Sequence, residues 1–163
     1  MPRQELTVDE VMAILHETPR RIAEPTSGLS PAELRTAPGP DAWSITDVLA
    51  HLRACHDVLG GNIVRIITED HPAWKRLSPR AYMRKTDYPT WAFEPAFAAF
   101  REQREGLLAV LDSQPADVWR RTATVSEFGS SFERSALFFG DWLAGHEREH
   151  WTQIKEVATR MRA

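Results

Sequence analysis

The sequence has little cysteine, little net charge and no long apolar run. Its only cysteine, Cys55, cannot form a disulfide within the chain. No stretch approaches the roughly 18 apolar residues of a membrane-spanning helix, and a net charge of -3 gives no broad basic surface for nucleic acid. The opening residues, MPRQELTVDE, lack the apolar segment of an export signal. We therefore expect a cytoplasmic protein with no membrane or nucleic-acid partner.

The length and composition fit one folded domain. With 163 residues, of which 42% are hydrophobic and 26% charged, the chain is long enough to bury a core of its own. Four segments repeat apolar residues at spacings of three and four, which is the period of an amphipathic helix. Residues 1–163 are therefore predicted to form a single all-α domain, a four-helix bundle with long crossover connections.

Capping residues and helix breakers give approximate bounds for the four helices. Thr7–Glu10 and Ser130–Glu133 match a capping box, and Ser44–Asp47 is a further helix-start signal. The predicted helices run from Thr7 to about Pro25, from Ser44 to Ile66, from Phe93 to about Ser113, and from Phe132 to Arg160. Adjacent glycines, Gly60 and Gly61, should weaken the second helix and kink it. The segment 119–129 is compatible with a loop or a short extended piece, because its threonines and valine favour strands.

Two histidines lie four residues apart in the last predicted helix. His146 and His150 therefore project from one helix face, one turn apart, and both fall on its apolar stripe. Such a pair can share one metal ion, and the alternative is a pair of core histidines that hydrogen-bond to backbone or carboxylate groups. His51 lies on the apolar stripe of the second helix, where a bundle could bring it opposite the pair. Three imidazoles would leave coordination positions open, which is typical of catalytic rather than structural sites.

Motifs in three parts of the chain together resemble one family. They are Gly28-Leu29-Ser30-Pro31 ahead of Pro38, Trp43-Ser44-Ile45 leading to His51, and His146-x3-His150-Trp151-x-Gln153-Ile154. This combination resembles the DinB-like family of metal-binding four-helix bundles. The resemblance implies metal ligands at His51, His146 and His150, and it also implies a homodimer. The family is similar in fold to enzymes that use bacillithiol or mycothiol with a divalent metal.

The resemblance and the open site favour a metal-dependent enzyme that acts on a small molecule, either a thiol-dependent S-transferase or a hydrolase. Imidazole donors do not select one ion, so zinc and nickel are the first candidates, with iron, manganese and cobalt as alternatives. Glu147 adjoins His146 and is the first candidate for a catalytic base.

A second class of function is a non-catalytic metal-binding or stress-associated module. In such a module a fourth protein ligand, for example Cys55 or a glutamate, would close the site. Cys55 lies one turn after His51 and could be a soft ligand, although a small buried cysteine is the commoner role. Gln153 is a candidate hydrogen-bond partner for His150.

The residues 146–150 also match H-E-x-x-H, the motif of zinc peptidases in which the glutamate is the general base. Such enzymes generally take a third ligand from further along the chain. Here the only carboxylate side chain after His150 is Glu156, which is too close to be a usual choice. The peptidase is therefore the weakest of the three hypotheses.

Overall fold

The computed structural model describes residues 2–163, and most of them are helical. The helices are α1 (Val8–Thr26), α2 (Pro31–Arg35), α3 (Ile45–Cys55), α4 (Gly61–Thr68), α5 (Pro79–Met83), α6 (Phe93–Asp112) and α7 (Ala136–Arg162). The strands are β1 (Ala73–Lys75), β2 (Thr122–Glu127) and β3 (Ser130–Ser135). Short 3-10 helices cover Tyr88–Thr90 and Ala116–Arg120.

Four long helical units form a bundle. They are α1, the continuous unit of α3 and α4, α6, and α7. The first and last helices pack along each other, and α3 also contacts α6 and α7. Their apolar stripes meet in two clusters of buried side chains, as expected for amphipathic helices that bury one face. The four predicted long helices are therefore confirmed. In the described part of the chain, every helix is too short or too polar to span a bilayer.

A π-helical turn at His56–Gly60 joins α3 to α4. It begins directly after Cys55, and it ends at the glycine pair where the sequence predicts a weak point. A π turn places one extra residue in a helix and changes which side chains face inward beyond it, and such turns are frequent near functional sites.

The prediction of an all-α domain is wrong, because the structure contains a three-stranded sheet. β2 and β3 lie between α6 and α7 in the chain, and β1 comes from the connection between α4 and α5. β1 pairs with β2 in parallel, and β2 pairs with β3 in an antiparallel hairpin. Phe128 and Gly129 form the hairpin turn with φ angles of 50° and 80°, the conformation that a tight two-residue hairpin requires.

The last helix starts later than predicted. The apparent capping box at Ser130–Glu133 belongs to β3, which pairs with β2 along its whole length. The helix begins instead at Ala136, where the Ser135 hydroxyl accepts a hydrogen bond of 3.0 Å from the Phe138 N–H.

Candidate metal centre

Helix α3 positions His51, and a capping box fixes the start of that helix. The Ser44 hydroxyl accepts a hydrogen bond of 3.1 Å from the Asp47 N–H, and the Asp47 carboxylate accepts one of 3.0 Å from the Ser44 N–H. These two bonds satisfy backbone donors that a helix start otherwise leaves free. His51 follows one turn later on the buried face and is only 3% exposed.

The structure brings the three predicted ligands together between α3 and α7. The Nε2 atoms of His51 and His146 lie 3.0 Å apart. The ring centroid of His150 lies 4.9 Å from that of His51 and 4.7 Å from that of His146. The spacing of His146 and His150 on one helix accounts for their proximity, whereas the approach of His51 depends on the packing of α3 against α7. Metal binding by these residues stays a prediction.

Cys55 also lies at this place. Its Sγ is 3.4 Å from His51 Nε2, and the donor atoms of His51, Cys55 and His146 all lie within 4.8 Å of one another. His150 is outside this tightest group, although its ring contacts both of the other histidines. The cluster of possible metal donors is therefore His51, Cys55 and His146, with His150 beside it.

A hydrogen bond orients the His150 ring. Its Nδ1 lies 2.8 Å from Gln153 Oε1. Because an amide oxygen only accepts, Nδ1 carries a proton, and the neutral form of this ring has its lone pair on Nε2. This is the tautomer that a ligating histidine with Nε2 as donor needs. The Trp43 ring covers the same side of the cluster, with its centroid 5.1 Å from that of His51 and 6.4 Å from that of His150.

Burial keeps the cluster uncharged at neutral pH. Burial, and then the nearby His150 and His146, lowers the pKa of His51 to about 3. Burial, and then His150, also lowers the pKa of His146. Burial raises the pKa of the Cys55 thiol to about 12. In the metal-free protein the two imidazoles are thus neutral, the form that ligates a metal, and the thiol is protonated.

The chemistry of this donor set fits a divalent transition metal. Two neutral imidazoles whose Nε2 atoms face each other at 3.0 Å need either one shared proton or one shared cation between their lone pairs. Nitrogen and sulfur donors suit zinc and its neighbours rather than magnesium or calcium, which prefer oxygen. The Nδ1 of His51 is buried without a hydrogen-bond partner among residues 2–163, so the polar contacts of this ring are made through Nε2.

Glu147 takes part in a buried ion pair. Arg104 of α6 donates to both carboxylate oxygens of Glu147, with one distance of 2.9 Å. The Thr18 hydroxyl donates to Glu147 Oε1 at 2.6 Å. Glu147 and Arg104 are 0% and 1% exposed. Because Arg104 and Thr18 occupy this carboxylate, its position does not support the assignment of Glu147 as a catalytic base. The H-E-x-x-H peptidase mechanism needs the same glutamate as its base, so it is not supported either.

Sequence reasoning missed Arg104, although α1 contains the signal that could have indicated it. Pro19 lies inside α1 and has no N–H, so the carbonyl of Leu15 lacks its normal helical donor. Arg104 Nη1 donates to this carbonyl at 2.9 Å. A proline within a helix on a buried face therefore predicts a side-chain donor from a neighbouring helix.

A surface cavity of about 300 Å³ adjoins His146. Its walls include Trp142 and Gly145 of α7, and Arg3 and Asp141 form an ion pair of 2.6 Å at its edge. A cavity of this size is at the lower end of the range for small-molecule sites. Among the cluster residues, His146 alone lines this cavity.

Comparison with protein families identifies the chain. A family model described as the DinB superfamily matches residues 14–154, a range that includes the histidine cluster, Cys55 and Glu147. The chain belongs to the DinB superfamily. The family predicted from the sequence motifs is thus confirmed. No curated protein matches the chain.

A solved structure shows the same fold as this DinB superfamily member. YfiT from Bacillus subtilis superposes with a TM-score of 0.76 and 19% sequence identity, over 99% of this chain and 93% of that one. That protein is described as a probable metal-dependent hydrolase with an unusual four-helix bundle topology. At this identity, the likeness establishes the shared fold.

Proposed function

We propose that this DinB superfamily member is a metal-dependent enzyme that acts on a small molecule, by hydrolysis or by transfer to a low-molecular-weight thiol. The observation that carries the proposal is the convergence of neutral histidines from α3 and α7, with His51 and His146 Nε2 atoms 3.0 Å apart. The description of YfiT as a probable metal-dependent hydrolase supports the hydrolase form. Zinc and nickel are the ions we favour.

In this proposal His51, His146 and His150 hold the metal. A bound divalent ion supplies Lewis acidity, which polarises an electrophile and makes a nucleophile acidic enough to react near neutral pH. Gln153 Oε1 accepts a hydrogen bond from the His150 Nδ1–H and keeps Nε2 directed at the site. Trp43 shields His51 and His150 from solvent on one side, and the cavity beside His146 admits the substrate. No role as a base is assigned to Glu147, because Arg104 and Thr18 occupy its carboxylate.

The test is an activity screen of the zinc-loaded and nickel-loaded protein. The substrates are small esters, amides and epoxides, each with and without a low-molecular-weight thiol. We expect turnover that disappears in His146→Ala and survives in His71→Ala, an exposed histidine outside the cluster. Turnover that is equal in the wild type and His146→Ala would refute the proposed site. A thiol requirement would select the transferase form over the hydrolase form.

A second candidate is a non-catalytic metal-binding module. The position of Cys55 favours it, because a sulfur donor 3.4 Å from His51 Nε2 could occupy the position that a substrate needs. Metal-loaded protein that resists unfolding but turns over no substrate in the screen would support this candidate. The expected homodimer is a separate proposal, and light scattering of the purified chain tests it.

A further inference from the structure

We propose that the Cys55 thiolate is a ligand of the metal centre, in addition to the histidines. This inference depends on the metal site of the proposed function, and it applies to both the catalytic and the non-catalytic candidate. In this role Cys55 binds the metal through its sulfur, whereas an inert core cysteine would only fill space between the helices.

The geometry around His51 Nε2 carries the inference. In a tetrahedral zinc site with bond lengths of about 2.05 Å to nitrogen and 2.3 Å to sulfur, two nitrogen donors lie about 3.3 Å apart, and a nitrogen and a sulfur lie about 3.6 Å apart. The corresponding distances here are 3.0 Å between the His51 and His146 nitrogens and 3.4 Å between His51 Nε2 and Cys55 Sγ. Both separations are within a few tenths of an ångström of those in a metal site.

The helix explains why the sulfur reaches this point. Cys55 is four residues after His51 on α3, so the two side chains lie one above the other on the same face. The helix retains its α-geometry as far as Cys55, and the π turn begins at the next residue. His51 and Cys55 thus form an i, i+4 donor pair on α3, opposite the i, i+4 pair His146 and His150 on α7.

Coordination would replace the Sγ–H bond of Cys55 with an Sγ–metal bond, and the proton would pass to solvent. A thiolate is a softer and more charged donor than an imidazole, so its presence favours zinc over manganese or magnesium. If the three histidines and Cys55 all bound the ion, they would supply four protein donors, and a substrate would need a fifth position, which zinc adopts in some transition states. If these four donors left the ion no position for a substrate, the site would instead correspond to the non-catalytic candidate.

Packing alone gives a different expectation. A buried cysteine can donate a weak S–H hydrogen bond to an imidazole nitrogen, and such a contact has no role in metal binding. The two explanations differ in whether sulfur remains within bonding distance of a bound metal. Because Cys55 is the only cysteine of the chain, any thiolate signal from the centre must come from it.

The experiment is X-ray absorption spectroscopy of the zinc-loaded full chain, together with ultraviolet–visible spectroscopy of the cobalt(II)-loaded chain. We expect a sulfur scatterer at about 2.3 Å from zinc and a thiolate-to-cobalt charge-transfer band. This band should be lost in both Cys55→Ser and Cys55→Ala while cobalt remains bound. The measurements on the wild type need no variant, so a folding defect in either variant does not affect them.

Each result decides a different question. A zinc shell made only of nitrogen and oxygen, with no thiolate band, overturns the role of Cys55 and leaves the proposed function intact. A wild-type chain that binds neither zinc nor cobalt overturns both. A sulfur scatterer with a band that Cys55→Ser abolishes supports the inference.

Discussion

Replacement of Glu147 by leucine tests whether its carboxylate is structural. The side chain is 0% exposed and its partner Arg104 is 1% exposed, so the variant leaves a guanidinium buried without its counter-charge. Removing one partner of a buried ion pair typically costs about 3–5 kcal/mol. The lost hydrogen bond from Thr18 places our expectation in the upper part of that range. This is a large share of the 5–15 kcal/mol that stabilises a typical domain.

The double variant Arg104→Met/Glu147→Leu separates the pair from its surroundings. Replacing both charges with apolar side chains of similar volume is often neutral, so we expect the double variant to be more stable than Glu147→Leu. The carbonyl of Leu15 then loses its donor, and about 1–3 kcal/mol of the cost should remain. Glu149→Gln, an exposed neighbour on α7, is the matched control and should change stability by at most about 0.5 kcal/mol.

The assay is urea unfolding at pH 7, followed by circular dichroism, with the metal content of each folded variant measured in parallel. We expect Glu147→Leu to lower the midpoint strongly and to leave the metal content of the folded protein unchanged. Glu147→Leu unfolding at the wild-type midpoint would show that the ion pair is not the structural element described here. Loss of metal in a fully folded Glu147→Leu would place Glu147 in the metal site after all.

Three further predictions concern the fold. Gly140→Ala should destabilise the protein by about 1–3 kcal/mol, because an added Cβ would lie 2.7 Å from the buried Trp119 ring. Thermal unfolding measures the change in stability, and an unchanged Tm would contradict the close packing. Phe128→Asn should stabilise the protein by about 0.5–1 kcal/mol, because asparagine suits a positive φ beside Gly129 better than phenylalanine does. The phenyl ring is 95% exposed, so its removal costs little packing. A lower urea midpoint in the variant would refute the predicted stabilisation. Burial, and then Arg104, lowers the pKa of His56 to about 3, so the folded state binds fewer protons at this group than the unfolded state does between that value and about 6.5. As the pH drops through this window, His56 alone should lower the stability by at most about 1.4 kcal/mol per pH unit. His51, whose pKa is lowered to about 3 as well, adds to the slope. His56→Gln should reduce this slope in the metal-free protein, and an identical slope would refute the assignment.

Local capping signals predicted most of the helical architecture. The boxes at Thr7 and Ser44 are present in the structure, and each starts a long helix. The similar pattern at Ser130 failed, because its residues pair with β2 across a tight turn at Phe128 and Gly129. A capping pattern depends on only four neighbouring residues, so it contains no information about a strand that pairs with the same residues. The sheet could be predicted only as a possible extended piece for the same reason.

The candidate site was predictable to the extent that it lies on one helix. The spacing of His146 and His150 indicates their proximity directly, whereas the approach of His51 to within 3.0 Å of His146 depends on tertiary packing and was suggested by family resemblance. The orientation of Glu147 was not predictable from the motif around it. Arg104, its partner, comes from a different helix, and neither residue carries a local signal for the other.

Metal analysis of the purified protein shows directly whether the histidines of α3 and α7 bind zinc. The wild type, His51→Ala, His146→Ala and the control His71→Ala are each loaded with zinc, passed through a desalting column and measured by elemental analysis, with folding verified by circular dichroism. We expect equimolar zinc in the wild type and in His71→Ala, and strongly reduced zinc in His51→Ala and His146→Ala. Wild-type zinc content in both cluster variants, or no zinc in the wild type, would contradict it.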